Sequence, residues 1–131
     1  MGHINTIEYR GVFRHYRDIM SGYWLDSVDN DWMKSCNEAI DSSHIWATSR
    51  NEEEYQENLE SRIVKHYIKK NRPDIYQWLG ENKTSFVGKV VDGTAWYPFQ
   101  LILLLDKGTD NELAFKLRFK ITQVMEESQI S

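Results

Sequence analysis

The sequence predicts an α+β fold: about four helices followed by a three-stranded antiparallel β-meander. Three observations predict it. Apolar residues recur at three- and four-residue steps through the first eighty positions, and from residue 84 the period changes to two. Turn residues at Asp92-Gly93 and Lys107-Gly108 punctuate the second stretch. At 131 residues the chain has the length of a single domain. Residues 1–131 are therefore read as one α+β domain, helical over about 5–80 and a β-meander over about 84–123.

The elements follow in order. Asn5-Thr6-Ile7-Glu8 has the form of a capping box, and Tyr9, Val12, Phe13, Tyr16, Ile19 and Met20 then mark one helical face that stops at Gly22. A second helix starts near Asp29, carries Trp32, Met33, Cys36, Ala39 and Ile40 on one side, and breaks at Ser42-Ser43-His44. The third follows a capping box at Ser49-Arg50-Asn51-Glu52, with Tyr55, Leu59, Ile63, Val64, Tyr67 and Ile68 at helical spacing. Its first half is acidic and its second half basic, matching the helix dipole. Pro73 opens a short fourth helix with Ile75, Trp78 and Leu79 inward and Gly80 at its end.

Strands are predicted over Ser85–Val91 and Trp96–Asp106, with Pro98 near the start of the second. After a turn over 107–111, Leu113, Phe115, Leu117, Phe119 and Ile121 alternate with Ala114, Lys116, Arg118, Lys120 and Thr122, a strand with one wet face. The middle strand is apolar on both faces: Phe99, Leu101, Leu103 and Leu105 on one, Ile102 and Leu104 on the other. Such a strand needs a cover on each side. Helices supply one. A second copy of the chain, in a homodimer, or a fold-back of helix two or Tyr23-Trp24-Leu25 supplies the other.

Composition is that of a globular protein, 40% hydrophobic and 27% charged, with an excess of aromatic residues: five Trp, seven Tyr and five Phe. The lone Cys36 cannot form an intrachain disulfide, and no signal peptide or membrane-length apolar run is present, so a cytoplasmic location is expected. The net charge of −4 is unevenly spread. Segment 21–60 holds ten acids against Lys34 and Arg50, and segment 61–90 holds seven bases against Asp74 and Glu81.

No motif names a reaction. His3, His15, His44 and His66 form no metal-ligand pair in sequence, the glycines make no phosphate loop, and Cys36 lies among apolar positions as a buried thiol would. No catalytic residue, metal or cofactor is assigned, and a non-enzyme is expected. Two surfaces are candidates for binding. Trp24, Asp26, Asp29, Asp31 and Trp32, with Glu52, Glu53 and Glu54, place aromatic anchors among carboxylates, which suits a protein partner with a basic surface. Arg10, Arg14 and Arg17, then Lys65, Lys69, Lys70 and Arg72, then Lys116, Arg118 and Lys120, form three basic stripes able to touch nucleic acid or another anion. Solvation of outward faces and pairing with the acidic segment is the favoured explanation of these stripes, and with 20 acids in the chain direct nucleic-acid binding is not expected.

Helices followed by a three-stranded meander are similar in order to the second half of PAS-type sensory domains, without a supporting motif. That resemblance implies a small-ligand or sensory domain, with a pocket beside Trp96, Tyr97 and Phe99. The leading expectation is a small acidic module that blocks a partner's surface, of the inhibitor, immunity or phage anti-defence type. An enzyme with a composite site comes third.

Overall fold

A computed structural model of the chain describes residues 7–8, 19–91 and 99–125. The chain order is β1 (Ile7–Glu8), β2 (Met20–Val28), α1 (Asn30–Ala39), α2 (Ser42–Ala47), α3 (Glu52–Asn71), α4 (Pro73–Glu81), β3 (Val87–Val91), β4 (Phe99–Asp106), α5 (Asp110–Phe119) and β5 (Val124–Met125). Helix and sheet are mixed and the main sheet is three-stranded and antiparallel, in the order β2-β4-β3. β1 pairs in parallel with β5, and the Tyr23–Gln123 bridge and a bond from the Trp24 N–H to the Thr122 carbonyl (2.7 Å) fasten the chain before β5 to the outer edge of β2.

The order departs from helices followed by a meander, because a strand comes first and the third strand is not the C-terminal one. Met20–Val28 is that strand, so Met20 and Gly22 belong to a sheet and not to a helix end. The predicted helix over residues 9–18 and the Asp92-Gly93 turn lie outside the described residues. The strand predicted from Leu113 to Thr122 is not present: Asp110–Phe119 is helical. Thr109 caps this helix, its side chain accepting the Glu112 N–H at 3.1 Å, and Asp110 with Glu112 at the first turn and Lys116 with Arg118 at the last complement the dipole. The alternating apolar residues are also two i,i+4 pairs. Phe115 and Phe119 face inward and meet Trp78, whereas Leu113 and Leu117 face solvent. The PAS-like order goes with the meander and is not present.

Two helix starts are as expected and two features differ. Asp29 caps α1 through the Trp32 N–H (2.8 Å), and Pro73 begins α4. The third helix is capped two residues later than predicted, by Asn51 accepting from the Glu54 N–H at 2.8 Å. Ser42-Ser43-His44 does not break structure but opens α2, capped by Asp41.

β4 is buried on both faces, with Leu101 to Leu105 at 0–1% exposure. Leu101, Leu103 and Leu105 pack under the helices with Tyr23, Val64, Ile68, Ile75 and Phe115. Ile102 and Leu104 pack on the other side with Met20, Val91 and Val124. The chain covers both faces itself, which removes the argument for a homodimer across this sheet. α3 lies so close to β3 that a Cβ on Gly88 would sit 2.5 Å from the Val64 Cβ. At that approach α3 closes the β3 edge, which would otherwise invite pairing with another chain. The Gly88 N–H donates to Ser61 Oγ (3.0 Å) and the Val90 N–H to Glu60 Oε1 (2.9 Å). Among the described residues no helix is long and apolar enough to cross a membrane.

Candidate functional site

The surface with the clearest exposed anchor is the corner where α2 meets α3. α2 is only six residues long and needs help at its ends. Asp41 accepts the His44 N–H (3.2 Å), while the Thr48 and Ser49 hydroxyls donate to the Ile45 carbonyl at 3.1 and 2.7 Å. Asn58 Nδ2 on α3 then donates to Ser49 Oγ (3.0 Å), tying the corner to the longer helix. Ile45 points inward and is buried. A helix turns about 100° per residue, so the next side chain, Trp46, is carried to the outside. Trp46 is 55% exposed and stands edge-on to Tyr55 of α3, ring centroids 5.1 Å apart. Glu52 lies one turn before Tyr55 on the same helix face. Arg50 pairs with Glu54 (2.9 Å), but among the described residues Glu52 and Glu53 have no ion-pair partner. Two rings and the Glu52 carboxylate therefore share one solvent-facing corner, while Glu53 lies on the side of α3 that Glu57 and Glu60 turn toward Lys89 of β3.

The acidic Trp segment is divided. A bulge in β2 between Trp24 and Asp26 resets the alternation of faces. Trp24 pairs with Ile102 and packs on the sheet face away from the described helices, its Nε1 buried and without a hydrogen-bond partner among the described residues. Asp26 is turned to the helix face, where its Oδ1 accepts the Ser27 N–H and its Oδ2 accepts the Tyr67 hydroxyl (2.6 Å). Burial and then this bond hold the Tyr67 phenol above its ordinary range. Asp29 is occupied as the α1 cap, and Asp31 is exposed in its first turn. Trp32 is half-buried against Tyr67, 5.6 Å between centroids, and 6.2 Å from His66. Trp24 and Trp32 thus lie on opposite faces of the sheet.

Glu52, Glu53 and Glu54 are not beside them either. Fifteen residues of α3 separate Glu52 from Tyr67, about 22 Å along the axis. Of the predicted basic residues, Arg10, Arg14 and Arg17 lie outside the described residues. Lys116 and Arg118 are exposed on α5, not on a strand, with the Arg118 guanidinium 4.8 Å from the Phe119 ring centroid. The sequence marks Tyr55 only as part of the apolar face of the third helix and does not mark Trp46, although Asp41-Ser42-Ser43-His44 carries the helix-capping signal that exposes Trp46.

Among the described residues the remaining titratable groups do not assemble a catalytic set. Cys36 is buried, and desolvation pushes its thiol up to about 11, so it is not a thiolate at neutral pH. Burial, then the neighbouring Lys70 and Lys69, pull His66 below its usual value. Glu112 is buried and structural: it accepts the Tyr23 hydroxyl and the Gly108 N–H (3.1 Å), joining α5 to the sheet. Among the described residues no group of three His, Cys, Asp or Glu side chains is arranged to hold a metal. No family model, curated protein or solved structure matches the chain.

Proposed function

We propose that this protein is a non-enzymatic binding module that acts by covering a surface of a protein partner, in the manner of an inhibitor, immunity or anti-defence protein. The observation that carries the reading is the exposed Trp46, held against Tyr55 with Glu52 on the same helix face. A half-exposed Trp gives up favourable burial in the free protein, and Trp and Tyr are the residues that most often dominate interface energies. Carboxylates around such an anchor select a partner bearing Lys and Arg and speed its approach. The reading thus moves the partner surface from Trp24 and Trp32 to Trp46 and Tyr55, with Glu52 kept from the acidic set. The lone buried thiol suits the cytoplasm as the working compartment.

Paired affinity capture tests this. Native lysate is passed over the wild-type protein and over Trp46→Ala/Glu52→Gln, both verified as folded by circular dichroism. One stoichiometric protein should be retained by the first and lost from the second. Losing a central Trp anchor costs about 2 kcal/mol or more, about thirtyfold in Kd. Equal retention of the same partner by both baits would place the interface elsewhere.

A further inference from the structure

The other half of α3 carries a different surface. Arg62, Lys65 and Lys69 stand at i, i+3 and i+7 and form one exposed stripe. None of the three has an ion-pair partner among the described residues, and Lys69 instead lies over the Tyr76 ring, 6.0 Å from its centroid. Three adjoining concavities open along this stripe, of about 510, 370 and 460 Å³, and Lys65 lines all of them. Each has the size of a small-ligand pocket. The first two add Arg62, with Thr48, Thr84 and Ser85 in one and His66 in the other. The third is walled by Tyr76, Leu79 and Phe86 and is the apolar lobe.

We propose that this flank of α3 is a binding site for a short phosphate-bearing ligand with a planar ring, which is the chemistry of a nucleotide. The phosphates would sit on Arg62 and Lys65 in the first concavity, whose described lining includes no carboxylate. A guanidinium fork and an ammonium together bind phosphate oxygens through charge-assisted bonds. The ring would occupy the lobe of Tyr76 and Phe86, reached across Lys65. Length argues against a nucleic-acid strand. Arg62 to Lys69 spans about 10 Å, and carboxylates bound the stripe, with Asp41 in the second concavity and Glu81 in the third. A long polyanion following the groove would run into negative charge. The site is separate from Trp46, which lines none of the three concavities.

Calorimetric titration of the full chain with ATP, inorganic triphosphate, adenosine and an eight-nucleotide single strand tests the proposal. ATP should bind about fivefold or more tighter than triphosphate through ring stacking, and adenosine should give no signal. Arg62→Glu/Lys65→Glu should weaken ATP about tenfold or more. Lys116→Glu and Trp46→Ala should bind ATP as the wild type does, so failure of the Trp46 interface and failure of this site are distinguishable. The proposal is overturned if ATP does not bind at millimolar concentration, binds no better than triphosphate, is unaffected by the double charge reversal, or is outbound by the oligonucleotide. Thermal melts of each variant establish that a lost signal is not lost folding.

Discussion

Truncating Phe115 to alanine is expected to lower the free energy of unfolding by about 3–5 kcal/mol, while Leu117→Ala should change it by less than about 0.5 kcal/mol. Phe115 is fully buried, with ring centroids of Tyr23, Trp78 and Phe119 at 5.3, 5.8 and 4.9 Å. Leu117 is 75% exposed. On a strand these two residues would share a face, and their truncations would cost alike. On α5 they lie on different sides, so a large difference in urea midpoints follows from the helix, and equal costs would restore the strand.

Gly88→Ala is the second large effect, expected to destabilise by about 1–3 kcal/mol through overpacking. The added methyl would stand 2.5 Å from Val64 Cβ and 3.0 Å from Ser61 Cα, and the latter is backbone that cannot rotate away. α3 would have to withdraw from β3, stretching the Ser61 and Glu60 bonds that close the sheet edge. Gly80→Ala is the matched control. Its Cβ meets nothing within 4 Å, and it lies in α4, so alanine there should stabilise by about 0.5–1 kcal/mol. Melting temperatures moving in opposite directions would support this packing, and a neutral Gly88→Ala would contradict it.

The elements legible in the sequence are those whose signals are local. α1 from Asp29, α3, α4 from Pro73, β3 and β4 all carry caps, turn residues or a doubly apolar run within a few residues of where they begin. β2 has no such signal, because it is defined by a partner far along the chain: Tyr23 pairs with Leu103. α5 was misread for another reason. Leu113, Phe115, Leu117 and Phe119 fit a period of two and two i,i+4 pairs equally, and the discriminating feature was Thr109-Asp110-Asn111-Glu112, a capping box read as a turn. The candidate site failed in the same way. Spacing placed Trp24 near Trp32, but the β2 bulge and the pleat, which depend on pairing with β4, sent them to opposite faces. The charge division of α3 was legible, since helix geometry alone turns its two halves into two surfaces.

Photo-crosslinking from the α2–α3 corner tests the central claim most directly. p-Benzoylphenylalanine is placed at position 46 in one version of the protein and at position 117, exposed on α5, in another, and each is irradiated in native extract. The account predicts one dominant cross-linked protein from position 46, competed by unlabelled wild type and weakened by added salt, and none from position 117. A competable product from position 117 alone would contradict it and move the partner surface to α5.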